Sequence, residues 1–320
     1  MSYLFAFALA VWIPQQSGTT ASLRGVSAVN GRVGWASGTH GTVLRTIDGG
    51  AHWIASAVLG ADTLDFRDVE STDGRTAWLL ASGPGEKSRV YRTVDAGQHW
   101  SLSLTNPDPG GFFDALAFFG KQHGILLGDP VDGRFVIFTT DDGITWTRRT
   151  DPAALPGEGA FAASGTCLIA RPNGEAWFGT GAARVLHSTD FGITWTASQT
   201  PLAHEGKASG VFSVAFRDGQ HGIAVGGDYT KPADSIGNIA LTDDGGRSWH
   251  QPRSRPAGYR SAVQYRSRSE VIATGTSGSD VSHDGGATWQ PLDPTGYNAL
   301  SFHGKAGWAV GPEGRIARWR

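Results

Sequence analysis

"RTIDGGAHW" occupies residues 45–53, and the near copy "RTVDAGQHW" occupies residues 92–100. Four further stretches share the pattern Ser/Thr-x-Asp-x-Gly-x-x-Trp, with the acid and the tryptophan five residues apart. The six acids follow one another at intervals of 47, 46, 49, 54 and 40 residues. A motif that returns every roughly 40 to 50 residues, among short strands, is typical of the blades of a β-propeller.

Short apolar runs precede each copy of the motif, beginning with "GWASGTHGTVLRT" at 34–46. The seventh such run, "GWAVGPEGRIARW" at 307–319, has no motif after it, whereas the N-terminal "VWIPQQS" at 11–17 resembles the segments that follow the motifs. We therefore predict an all-β, seven-bladed β-propeller with four-stranded antiparallel blades over residues 11–320. The N-terminal strand completes the last blade, and this closure removes exposed sheet edges.

The repeated acid is interpreted as a turn residue. An Asp carboxylate and a Ser/Thr hydroxyl can bond within a tight turn, and glycine supplies the positive φ that such a turn needs. The alternative, six catalytic or metal-binding aspartates, is not needed to explain the repetition. The acids assigned to this structural role are Asp48, Asp95, Asp141, Asp190, Asp244 and Asp284.

The motif is similar to the Asp-box, or bacterial neuraminidase (BNR), repeat of the sialidase-like superfamily. With seven units and the stretch "LRGVSAVNGRVGWASGTHGTVLRTIDGGAHW" at 23–53, the chain resembles the photosystem II stability/assembly factor family. The resemblance implies a non-enzymatic scaffold that binds a partner through a surface patch of arginines. That implication extends to Arg24 and Arg67, which share a strand-start context, and more loosely to Arg260.

One equivalent position per blade is predicted to ring the mouth of the central channel. Three of the seven residues are arginines, which suit carboxylates and other anions. The alternative is a wet channel in which the arginines pair with Asp114 and Asp68. Counting back from each second strand gives the ring Arg24, Arg67, Asp114, Thr166, Phe212, Arg260 and Asn298.

Four loops at the same end of the propeller, which we call the top face, depart most from the repeat. They are "GPGEKS" (83–88), "GDPVDG" (128–133), "LPGEGAFAAS" (155–164) and "GGDYTKPADS" (226–235). Irregular loops on a rigid scaffold often carry binding residues, although solvated loop tips are an equal alternative. Candidate binding residues on these loops are Asp129, Glu158, Asp228 and Tyr229.

A glycoside hydrolase is the rival interpretation. Asp114, Asp129, Glu158 and Asp228 offer carboxylates, and hydrolysis of a glycosidic bond needs two of them about 5–9 Å apart. A sialidase is disfavoured because sialidases have six blades and an early Arg-Ile-Pro motif, where this chain has "WIP" at 12–14. No G-x-S-x-G, H-E-x-x-H or P-loop motif occurs. We favour a non-enzymatic binding function without a cofactor or metal.

Composition narrows the partner. The net charge of −2 does not suit a nucleic acid, and the lone cysteine, Cys167, allows no internal disulfide. The sequence begins "MSYLFAFALAVW", an apolar run containing an A-x-A-like site at residues 8–10. This pattern predicts a signal-peptide remnant at 1–10 and a periplasmic or secreted protein, although the usual positive start is missing. We expect a monomer that binds a protein segment or anionic ligand, with a membrane-protein complex as one candidate partner.

Overall fold

The computed structural model describes residues 12–150 and 152–320, so the predicted leader at 1–10 lies outside the described residues. This part of the chain forms seven antiparallel sheets arranged as the blades of a propeller, as the sequence predicted. Blade 1 contains β2 (Leu23–Ala28), β3 (Gly34–Gly38), β4 (Val43–Thr46) and β5 (Ile54–Ser56). Blade 2 contains β6 (Phe66–Ser71), β7 (Ala77–Ala81), β8 (Arg89–Thr93) and β9 (Ser101–Thr105).

The middle blades follow the same plan. Blade 3 contains β10 (Phe113–Phe118), β11 (Gly124–Val131), β12 (Arg134–Thr140) and β13 (Thr147–Arg148). Blade 4 contains β14 (Leu168–Ala170), β15 (Ala176–Gly179), β16 (Arg184–Ser188) and β17 (Thr196–Gln199). Blade 5 contains β18 (Ser209–Phe216), β19 (Gly222–Asp228) and β20 (Ile239–Thr242), and its outer edge is a single bridge between Leu241 and His250.

The last two blades complete the ring. Blade 6 contains β21 (Ala262–Tyr265), β22 (Val271–Gly275), β23 (Gly278–Ser282) and β24 (Gln290–Asp293). Blade 7 contains β25 (Ala299–His303), β26 (Ala306–Val310), β27 (Ile316–Trp319) and β1 (Trp12–Gln15). A one-turn 3₁₀ helix, Gly85–Lys87, interrupts the loop between β7 and β8. Among the described residues no helix is long and apolar enough to cross a membrane.

The N-terminal strand closes the ring, which confirms the prediction. β1 pairs antiparallel with β27, so that Trp12 faces Trp319 and Gln15 faces Ile316. The indole of Trp12 is 2% exposed and packs against three aromatic rings of blade 7. One strand from the start of the chain and three from its end thus form a single sheet.

Tryptophans link neighbouring blades. Trp35, Trp78, Trp177 and Trp308 lie on second strands and are fully buried. Between blades 1 and 2, Trp100 meets Trp35 edge-on at a centroid distance of 5.9 Å, and between blades 7 and 1, Trp53 meets Trp308 edge-on at 6.1 Å. Aromatic pairs of this geometry add stabilisation beyond that of their buried area, and they favour one relative placement of the two blades.

Each Asp-box forms a tight hydrogen-bonded turn. In the first, the Thr46 hydroxyl donates to Asp48 Oδ1 at 2.9 Å and accepts from the Gly50 amide at 2.8 Å. Gly50 has a φ of +87°, which a residue with a side chain rarely adopts. The carboxylate also accepts from the His52 amide, and these bonds lower the pKa of Asp48. The second, fourth, fifth and sixth boxes repeat the hydroxyl–carboxylate bond.

The third box differs from the prediction, because Asp142 rather than Asp141 forms the turn. β11 pairs with β12 so that Gly124 faces Thr140, and the Thr140 hydroxyl donates to Asp142 Oδ1 at 3.0 Å. The Gly143 amide in turn donates to the Thr140 hydroxyl at 2.9 Å. Asp141 is displaced to the surface, where its side chain is 81% exposed. This box is therefore one residue shorter between its acid and its tryptophan.

Candidate functional site

A cavity of about 480 Å³ opens at the mouth of the channel on the top face, where the first strands of the blades begin. We call it the mouth cavity. It contains both of the strand-start arginines that the sequence singled out, together with two of the carboxylates. Its lining residues include Arg24, Arg67, Phe112, Asp114, Asp129, Phe161, Lys207, Phe212, Tyr229, Tyr259 and Asn298.

β-Bulges explain why these strand-start residues face the cavity. In β2 the pairing with β3 skips from Leu23 to Gly25, which leaves Arg24 as the extra, unpaired residue. The same shift occurs around Arg67, Asp114 and Phe212 in blades 2, 3 and 5. An extra residue in one strand interrupts the regular alternation of side chains between the two faces of the sheet, so its own side chain takes a different direction. The bulges therefore turn four side chains toward one opening.

Arg24 brings a half-buried guanidinium with one unpartnered nitrogen to the mouth cavity. Its Nε is buried and has no hydrogen-bond partner within the described part of the chain. Burial lowers the pKa of the Arg24 guanidinium, and the nearby charge of Arg67 lowers it further, while Asp65 opposes both effects. A guanidinium that has lost solvent without gaining a full partner is predisposed to bind an anion.

Arg67 is better satisfied than Arg24. Its Nε donates to Asp65 Oδ2 at 2.8 Å, and one terminal nitrogen donates to the Ala162 carbonyl at 3.3 Å. Its guanidinium also lies 5.9 Å from the centroid of the Phe112 ring. These contacts fix the direction of the side chain and place a second positive charge beside Arg24.

The blade 3 side of the mouth cavity is acidic. Asp114 is 1% exposed, and its Oδ2 finds no hydrogen-bond partner among the residues described. Burial and the charge of Asp129 raise the pKa of Asp114 well above its usual range, against the attraction of Arg67. Burial also raises the pKa of Asp129, although the Ala160 amide donates to its carboxylate at 2.9 Å. The site is thus cationic at blades 1 and 2 and acidic at blade 3.

Aromatic rings form one wall of the mouth cavity. Phe161 stacks on Phe212 with centroids 3.7 Å apart and planes 13° from parallel. Tyr259 meets Phe212 edge-on at 4.8 Å, and Tyr229, half exposed, stands at the rim. Such rings offer flat apolar surface to a ligand side chain or to a sugar ring.

Arg260 is not part of the mouth cavity, contrary to the expectation for the ring of arginines. Its side chain is 1% exposed and forms a buried ion pair with Asp280, with a 2.6 Å bond from Nε to Oδ2. Further bonds join it to the Tyr259 carbonyl and the Ser277 hydroxyl. Arg260 precedes β21 and no bulge turns it outward, so its acid on β23 determines its direction.

The expected acidic partners also differ. The partner of Arg67 is Asp65, and Asp68 instead lies in the channel, where it accepts from the Leu116 amide at 2.9 Å. Burial raises the pKa of Asp68 to about 7, and burial together with the charge of Asp68 raises that of Glu70. Thr166 also faces the channel and bonds to the Ser213 hydroxyl. These groups lie beyond the mouth cavity.

Two of the loop acids have local partners. The Glu158 carboxylate bonds to Arg184, to the Thr180 hydroxyl and to the Leu155 amide, so it braces the loop between blades 3 and 4. Asp228 accepts from the Thr230 amide at 2.9 Å and pairs with Lys231 at 3.6 Å. Neither lines the mouth cavity, whereas the third acid, Asp129, and the neighbouring Tyr229 do.

Sequence reasoning missed Lys207 and the aromatic residues Phe112, Phe161 and Tyr259. Lys207 lies in the loop between the outer strand of blade 4 and β18, which the sequence analysis did not single out. The aromatic residues adjoin predicted ring positions or lie on a predicted loop, a signal that the pattern contained. No group of three or more His, Cys, Asp or Glu side chains that could hold a metal occurs in residues 12–150 and 152–320.

Comparisons with known proteins agree with the class that this fold and motif define, an Asp-box β-propeller. Residues 186–197 match the family model described as BNR/Asp-box repeat. The structure described as "YCF48 bound to D1 peptide" is 20% identical, with a TM-score of 0.69 over 100% of this chain and 98% of that one. "YCF48 from Cyanidioschyzon merolae" is also 20% identical, with a TM-score of 0.71 over 97% and 99%.

More distant propellers share the architecture alone. The WD40 domain of Neurospora crassa Pan2 is 12% identical, with a TM-score of 0.66 over 93% of this chain and 89% of that domain. A comparison with curated protein sequences gives no match. At 20% identity, the likeness to the two YCF48 structures shows the fold of this chain.

Proposed function

We propose that this propeller is a non-enzymatic binding scaffold that docks a segment of another protein on its top face. An acidic group of the segment binds Arg24, with Arg67 beside it, and an apolar side chain packs on the aromatic wall. The solved structure of YCF48 with a D1 peptide supports a protein segment as the class of ligand. By analogy, the segment belongs to a complex under assembly, of which a membrane-protein complex is our leading candidate.

The single observation that carries this proposal is the buried Nε of Arg24, which has no hydrogen-bond partner in the described structure. A buried guanidinium nitrogen without a partner in the described structure costs free energy until a ligand supplies an acceptor. A carboxylate recovers that cost because a charge-assisted hydrogen bond is roughly twice as strong as a neutral one. Water could satisfy the nitrogen in the free protein, and a carboxylate would then displace it.

Crosslinking capture from extract of the source organism tests the proposal. The double variant Arg24→Gln, Arg67→Gln removes both charges, and Arg32→Gln removes an exposed arginine from the opposite end of the propeller. We expect the wild type and the Arg32 variant to capture the same partner and the double variant to lose it. Equal capture by all three proteins would refute the mouth cavity as the docking site.

The location and oligomeric state of the protein belong to the same proposal. We place it in the periplasm or outside the cell, acting as a monomer, on the strength of its apolar N-terminal sequence and of the closure of blade 7 by β1. Fractionation of the source cells and light scattering of the purified protein test these two statements. Recovery in the cytoplasm, or a stable dimer, would contradict them.

Hydrolysis of a glycan is the second candidate, and one observation favours it. Asp114 and Asp129 lie in one aromatic-lined cavity, and both have raised pKa values, as a general acid needs. A screen of aryl glycosides and natural oligosaccharides with the wild type and Asp114→Asn tests it. Turnover that the Asp114 variant abolishes would establish this function, and absence of turnover would dismiss it.

A further inference from the structure

A second cavity of about 630 Å³ continues the mouth cavity outward across blades 3 and 4. We call it the radial groove. Asp129, Ala160, Phe161 and Lys207 line both cavities, so the two are continuous. Apart from Glu158 and His204, the remaining lining consists of small residues and prolines, namely Gly110, Pro130, Pro156, Gly157, Gly159, Gly181, Ala182 and Gly206.

The shape of the radial groove suits an extended chain. Glycine walls have no side chains that would hold a ligand backbone away, so a strand-like segment can lie close to the protein surface. The inner wall is already rigid, because the Gly181 amide donates to the Gly159 carbonyl at 2.8 Å. Glu158 further ties the same loop to Arg184 of blade 4. Binding therefore requires little further ordering of these loops, and little conformational entropy is lost.

The charged groups of the two cavities favour an acidic ligand. Glu158 is neutralised by its bonds to Arg184, whereas Lys207, at the junction of the two cavities, extends an exposed ammonium group. Arg24 brings the guanidinium with one unpartnered nitrogen at the inner end. Arg24 and Lys207 line two continuous cavities, so a segment with an acidic residue near each of them complements their charge. Asp114 and Asp129 share these cavities, but burial raises the pKa of both carboxyls and so favours their uncharged form.

We propose that the docked segment is an acidic, extended stretch of protein that runs along the radial groove. One carboxylate binds Arg24 in the mouth cavity, a second passes Lys207, and the chain continues outward between Gly110 and Gly206. This inference rests on the proposed function and adds the direction of the segment and its chemical class. It makes the loop at 155–161 and the glycines opposite it determinants of specificity.

Three glycine-to-tryptophan variants test the path of the segment. A Cβ added at Gly110, Gly206 or Gly120 meets no atom within 4 Å, and all three glycines are exposed. Gly110→Trp and Gly206→Trp therefore obstruct the radial groove without strain in the fold. Gly120→Trp is the matched control, because Gly120 lies in a hairpin at the opposite end of the propeller.

The probe is a random 12-residue peptide library displayed on phage and selected on the wild-type protein. Enriched peptides are synthesised with a fluorescein label, and their affinities are measured by anisotropy for the wild type, Arg24→Gln and the three tryptophan variants. We expect enriched peptides to contain at least two acidic residues. Each groove variant should weaken binding at least about tenfold and Gly120→Trp less than about twofold.

The outcomes separate this inference from the proposed function. If Arg24→Gln abolishes binding but both groove variants bind as tightly as the wild type, the radial groove is not the path, and the mouth cavity remains the docking site. Enriched peptides without acidic residues would overturn the stated chemistry. If no peptide is enriched, or if Arg24→Gln binds the enriched peptides as the wild type does, both proposals fail.

Discussion

Removal of one indole from the closing strand should measurably loosen the ring. In Trp12→Ala, the side chain lost is 2% exposed and contacts Tyr297, Phe302 and Trp319 at centroid distances of 5.7, 5.7 and 5.1 Å. Truncation of a buried Trp to Ala typically costs about 3–5 kcal/mol. With about 2.1 cal/mol/K of unfolding entropy per residue, 4 kcal/mol lowers the melting temperature by about 6 °C.

Differential scanning calorimetry measures this change, with Ile13→Ala as the control. Ile13 is the next residue on the same strand, and its side chain is 40% exposed. A surface truncation of this kind usually changes stability by less than about 0.5 kcal/mol, which corresponds to less than 1 °C here. Equal melting temperatures for the two variants would refute the conclusion that the indole of β1 holds the ring closed.

Three further predictions concern the seam, the boxes and the channel. Gln15→Leu leaves the buried indole of Trp308 without its 3.2 Å acceptor and should cost about 1–3 kcal/mol, seen as a lower melting temperature. Asp142→Ala should lower the melting temperature and Asp141→Ala should not, because only the Asp142 carboxylate accepts hydrogen bonds within the turn. A lower melting temperature for Asp141→Ala alone would support Asp141 as the turn residue. The raised pKa of Asp68 means that the folded state holds a proton that the unfolded state releases, so stability falls as the pH rises from about 4 to about 7. Across that window, the free energy of unfolding of Asp68→Asn, measured by urea titration, should rise relative to that of the wild type by at most about 1.4 kcal/mol per pH unit. Parallel pH profiles of the two proteins would contradict this prediction.

The amino-acid sequence was sufficient to predict the number of blades, their order and the closing strand. The residues of a tight turn interact with near neighbours in the chain, and the turns recur together with a tryptophan. Both therefore appear in the sequence at a regular spacing. The same regularity misled the assignment in the third box, where two adjacent threonines and two adjacent acids offer alternative turns. Only the pairing of Gly124 with Thr140 selects Asp142.

The mouth cavity shows what the sequence by itself determined and what required tertiary structure. Counting along the repeat placed Arg24, Arg67 and Asp114 at one level of the channel, because strand length is a local property. The bulges that turn these side chains inward, and the acid that draws Arg260 away, depend on how each strand pairs with its neighbour. The union of the mouth cavity with the radial groove depends on contacts between residues from different blades. Such contacts produce no repeating pattern in the amino-acid sequence, so only the folded structure shows them.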